Sequence, residues 1–68
     1  MRTEELTALA LEQLNHDKYL LANAVGKRAE ALSRGTISVL DIDTSMMKHA
    51  DIALQEIAEG KIFVSLQG

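Results

Sequence analysis

A helical stripe with a charge on it limits this chain more than any other feature. Between Asp17 and Gly35, Leu21, Val25, Arg28 and Leu32 recur at intervals of four, three and four. That is the repeat of one face of an α-helix, not of a strand. Leu20, Ala24 and Ala31 lie beside the stripe, while Asn23, Lys27, Glu30 and Arg34 fall on the polar side. Asp17 is placed to cap the helix and Gly35 to end it, so a helix is predicted from residue 17 or 18 to residue 33. Glu30 precedes Arg34 by four residues, the favourable order for a surface pair. Arg28 is out of place on an apolar face, which makes it a natural interface residue. Gly26, in mid-helix, is either a tolerated weakness or a point of close approach by another backbone.

Two further helices flank this one. Leu6, Leu9, Ala10 and Leu14, widened by Leu11, make an apolar stripe over residues 3–14. Thr3 is its candidate cap, and Glu4 and Glu5 favour the positive end of its dipole. Asn15, His16 and Asp17 then connect, with Asn15 a candidate C-terminal cap. The third helix, carried by Ala50, Ala53, Leu54, Ile57 and Ala58, ends at Gly60. Its start is either capped by Thr44 or Ser45 or lies near Lys48. Between the second and third helices, residues 36–43 carry Ile37, Val39, Leu40 and Ile42 and suit an extended segment. One isolated strand is unstable, so this segment must lie against the helices or a partner. Residues 61–68 extend a short strand or form a mobile tail. The expected fold is an all-α bundle of three main helices with short extended connections, one domain over residues 1–68.

Such a bundle has little with which to fill its interior. The 68 residues contain no cysteine, no tryptophan and two aromatics, Tyr19 and Phe63. A chain this short buries only about 60% of the surface its unfolded form exposes. No disulfide or thiolate metal site can compensate. Completion of the core by something else is therefore expected. An apolar fraction of 47% argues against disorder, and no run approaches the length of a membrane span. The opening residues lack a secretory apolar stretch, and Glu4 with Glu5 argues against a mitochondrial presequence, so a cytoplasmic location is expected. The net charge of -3 gives no general footprint for nucleic acid.

Catalytic signatures are missing. The four serines sit in no Gly-x-Ser-x-Gly turn, and there is no phosphate-binding glycine loop. His16 and His49, near Asp17 and Asp51, match no metal spacing and read as surface residues; no metal or cofactor is expected. Asp41 and Asp43 alternate with Ile42 and read as solvated acids. Met46 and Met47 suit an interface or fill a core or loop. Lys27 and Arg28, with Lys18 and Arg34, make a basic side that suits phosphate, solvent or an acidic partner.

Two stretches resemble the omega subunit of bacterial RNA polymerase. The first is Asp17-Lys18-Tyr19, with Leu21 following and the helix reaching Lys27-Arg28-Ala29. The second, and more specific, runs Ala53-Leu54-Gln55-Glu56-Ile57-Ala58-Glu59-Gly60-Lys61-Ile62, similar to the family's Ala-Leu-x-Glu-Ile-x-x-Gly-x-Ile. The resemblance covers most of residues 17–62. It implies an all-helical, non-catalytic accessory subunit that clasps the beta-prime subunit, aids its folding and promotes core assembly, touching DNA only through the complex and no membrane. By resemblance, Tyr19, Leu21, Arg28, Ala29, Leu54, Glu56 and Ile57 are the beta-prime-binding residues. In several bacteria the omega N-terminus also helps bind guanosine tetraphosphate. Those chains begin Met-Ala-Arg, whereas this one begins Met-Arg-Thr, leaving Arg2 as the candidate. The alternative class is a small DNA-binding regulator or antitoxin-like dimer. A very small metal-dependent enzyme is a third reading.

Overall fold

In the computed structural model, which describes residues 3–62, the chain forms three helices: α1 (Thr3–Gln13), α2 (Lys18–Ser33) and α3 (His49–Ala58). No strand occurs among the described residues. The extended segment expected at residues 36–43 is present as irregular chain without a strand partner, and the expected tail from residue 63 onward lies outside the described residues.

Local chemistry places the helix ends. Asp17 caps α2, its Oδ1 accepting from the amides of Tyr19 and Leu20 at 3.0 Å each. These are two of the amides that a helix start leaves unpaired. All three helices close in the same way. The His16 amide donates to the Leu11 carbonyl at 2.7 Å, Thr36 to Ala31 at 3.1 Å, and Lys61 to Glu56 at 3.1 Å. In each closure the residue after the cap is left-handed: Asn15 at φ 55°, Gly35 at φ 108° and Gly60 at φ 68°. Glycine has no Cβ to clash there, and asparagine is among the side chains that tolerate the region best. One expected start signal differs. Thr3 is itself a helical residue of α1 and not its cap. At α3, of the two starts expected, the one near Lys48 is observed: Lys48 is the cap, with no side-chain bond, and residues 44–47 turn ahead of it through a Met47 to Thr44 backbone bond of 3.0 Å. Asp43 takes the Ser45 amide at 2.9 Å.

α3 packs against both α1 and α2, which scarcely meet each other. Its position between two neighbours widens its buried arc to Ile52, Ala53, Glu56, Ile57 and Ala58. This corrects the apolar face expected from Ala50, Ala53, Leu54, Ile57 and Ala58: Ala50 is exposed and Ile52 is buried. One apolar cluster joins Ala10, Leu14, Leu21, Ile57 and Ala58, with Leu6, Leu11, Leu20 and Leu54 packed on it. A second joins Leu32, Leu40, Ile52 and Ala53, with Ala29 and Met47 against it. Val25 touches both. Leu9, expected on the stripe of α1, falls to the exposed edge because the contact face centres on Ala10 and Leu14.

Candidate functional site

The two clusters leave a seam, and the seam holds a charge. Glu56 sits on the buried arc of α3 with no exposed surface, the one buried charged side chain among the described residues. The Arg28 fork reaches it from α2: Nε donates to Oε1 at 2.6 Å and Nη2 to Oε2 at 3.0 Å. Oε2 also accepts from the Ser38 hydroxyl at 2.8 Å and the Val39 amide at 3.0 Å. Ser38 Oγ in turn accepts from the Leu40 amide at 3.2 Å. One carboxylate thus joins α2, α3 and the chain between them. No buried side-chain polar atom among the described residues lacks a partner.

Burial pushes the Glu56 carboxyl up. The bond from Arg28, the Val39 amide, the Ser38 hydroxyl and the Arg28 charge outweigh it, and the group ends below the ordinary glutamate value. The Glu56 bond raises Arg28 further above its usual value, against burial and with help from the carboxylate charge. Both groups are therefore charged at neutral pH. The planar guanidinium meets the carboxylate in two parallel bonds, the geometry in which such a pair is strongest.

The residues singled out by sequence do not form one patch. Arg28 and Glu56 meet each other. Leu21 and Ile57 are buried in the first cluster, Leu54 is half-buried against it, and Ala29 is half-buried against the second. Tyr19 stands apart at 80% exposure, with the Lys18 ammonium 5.8 Å from its ring centroid. Arg2 lies outside the described residues. The basic side is divided: Arg28 turns inward and Arg34 Nη2 donates to Glu30 Oε1, while Lys18 and Lys27 are exposed. His16 and His49 are exposed, and no group of three metal-ligating side chains converges among the described residues. Asp41 pairs with Lys61 at 3.6 Å. No helix among the described residues is long and apolar enough to cross a membrane.

Of two features, sequence reasoning missed one and left the other open. One is the inward partner of Arg28. Its signal was present, since Glu56 stands among Ala53, Ile57 and Ala58 as Arg28 stands between Val25 and Leu32. The other is how the α2–α3 connection is covered, expected against the helices or a partner: several of its large apolar side chains are left exposed. Ile37 is 86% and Met46 94% exposed, with Val39 and Ile42 also open to solvent. The adjacent methionines divide, Met47 packing on the second cluster and Met46 facing outward.

The family described as RNA polymerase Rpb6 matches residues 14–64 of this chain. A DNA-directed RNA polymerase subunit omega from a Sulfurovum species is 69% identical over 68 residues, covering 100% of both chains. The chain belongs to the omega-subunit family of RNA polymerase. An omega subunit from Campylobacter concisus is 61% identical over 62 residues, 91% of this chain and 87% of that one. One from a Nitratiruptor species is 45% identical over 67 residues, 98% and 96% of the two chains. No solved structure matches. The omega-family match includes Arg28, Ser38, Val39 and Glu56, so the whole buried clasp lies inside it.

Proposed function

We propose that this chain is a non-catalytic accessory subunit that clasps the beta-prime subunit of RNA polymerase, aids its folding and promotes assembly and stability of the core enzyme in the cytoplasm. Membership of the omega family carries this reading. The surface supports it. A small fold that leaves Ile37, Val39, Ile42 and Met46 uncovered on one connection has apolar area to offer a partner. Tyr19, Arg28, Ala29 and Leu54 are the carried-over positions with surface left to meet beta-prime. Leu21, Glu56 and Ile57 are turned inward and serve the contact by shaping what the others present. The case for a basic recognition helix, which a DNA-binding regulator would need, is weakened on α2, where Glu56 and Glu30 engage Arg28 and Arg34.

The test is capture. The tagged, folded chain is expected to retrieve beta-prime, identified by mass spectrometry, from lysate of its own source at low and moderate salt. A folded chain that leaves beta-prime behind under both conditions sinks the proposal.

A further inference from the structure

The connection between α2 and α3 has no strand partner, yet it alternates like a strand. Ile37 and Val39 face out; Leu40 is buried and Ser38 half-buried. A segment with period-two side chains is normally held in register by the backbone of a neighbouring strand, and a slip of one residue would exchange its two faces. Here the hydrogen-bonding edge is met by a side chain. The Val39 amide and the Ser38 hydroxyl both donate to Glu56 Oε2, and Ser38 Oγ relays the hold to the Leu40 amide. Arg28 fixes the carboxylate from the opposite side through both oxygens. Apolar packing contributes one buried anchor, Leu40, which cannot by itself set the register of its neighbours.

We propose that Glu56 is a positioning residue: its carboxylate, clamped by Arg28, stands in for a partner strand and holds residues 37–40 in the register that buries Leu40 and turns Ile37 and Val39 outward to dock on beta-prime. The docking half rests on the function proposed above; the register half does not.

Amide hydrogen exchange on the full chain, followed by beta-prime capture, separates the two halves. Glu56→Gln keeps the side-chain shape but brings an NH2 group to face donors. It is read at the Leu40 amide, whose own acceptor on Ser38 is untouched. Ser38→Ala leaves the Arg28–Glu56 pair intact and is read at Val39, whose acceptor on Glu56 is untouched. In each variant the reporter amide is expected to exchange at least about tenfold faster relative to Ile57 in α3, the size of effect a lost charged hydrogen bond produces. Beta-prime capture is expected to weaken in parallel. A core residue with no positioning role would instead speed all these amides together through global opening. Reporter amides that keep step with Ile57 overturn the register claim. Loosened amides with undiminished capture overturn the docking claim. Should Glu56→Gln fail to fold, Ser38→Ala decides alone. If the wild-type chain does not capture beta-prime, the proposed function fails while the exchange pattern still judges the register.

Discussion

At the scale of a residue, the charge on Glu56 survives complete burial because four donors meet its two oxygens. Without Arg28 that carboxylate would keep only the Ser38 and Val39 bonds, and its charge would lie uncompensated in the seam. Breaking a buried pair from one side costs about 3–5 kcal/mol. With 19% of the Arg28 side chain exposed, the low end is expected, ~3 kcal/mol for Arg28→Ala. That is a large share of the roughly 3–10 kcal/mol usual for a chain of this length. Arg28→Lys keeps the charge but loses the fork, so it should fall between wild type and Arg28→Ala. Urea denaturation midpoints check the order; a midpoint for Arg28→Ala equal to wild type would show that the pair carries no net stability. The Glu30–Arg34 pair, exposed on both sides, should contribute no more than about 0.5 kcal/mol. Arg28 was legible as an anomaly in the sequence, but the direction it faces was not. A charge on an apolar stripe fits a foreign partner and an internal one equally well.

At the scale of an element, most of what forms the helices was legible. The α2 stripe and the Asp17 cap are local signals, and Gly35 and Gly60 close their helices where left-handed backbone is required. The start of α3 was legible only as two alternatives, of which the one near Lys48 holds, because Lys48 offers no capping hydrogen bond and therefore no signature to decide between them. Gly26 resolves at this scale too. A Cβ there would meet nothing within 4 Å beyond its own turn of helix, so no other element of the described chain comes close to it. Within the chain it is a weak point of α2. Gly26→Ala is expected to stabilise the isolated protein by about 0.5–1 kcal/mol. For a domain of this size that raises the melting temperature by several degrees, on the order of 4–8 °C per kcal/mol. A thermal melt followed by circular dichroism measures it; a lowered Tm would mean that this stretch of α2 is not ordinary helix.

At the scale of the whole molecule, the shape explains the thin core. The Cα extents are 29 × 27 × 16 Å, so the short axis holds only about two layers of helix at their usual spacing of about 8–10 Å. A body so flat covers few side chains completely. Nine apolar residues are buried among those described, and three of them are alanines. The polar clasp sits in the seam of this thin core, and stability should follow its ionisation. Because the folded state holds Glu56 below its ordinary value, the unfolded chain binds the proton more readily. The contribution of Glu56 is then fully present above the unfolded value, near 4.3, and is lost as pH falls through the lower folded value. The exposed Asp43 carboxyl, lowered by the Ser45 amide and hydroxyl, acts in the same direction more weakly. The urea midpoint should stay level from about pH 7 to about pH 5 as far as these groups govern it, then decline below about pH 4. Glu56→Gln should flatten that decline; an equally steep one would place the acid sensitivity elsewhere.

Residue order alone settles the helices, most of their ends, the scarcity of core-filling side chains and the resemblance to the omega family. All of these rest on short-range periodicity, single residue types or motifs that need no knowledge of how helices cross. Tertiary packing was needed to turn Arg28 inward and to bury Glu56. It also selected Ile37, Val39, Ile42 and Met46 as apolar residues left uncovered. Arg28 and Glu56 are 28 positions apart, and Ser38 reaches Glu56 from 18 positions away. Such pairings exist only once α3 has packed across α2, because no local repeat specifies which of the charges on two helices will share one seam.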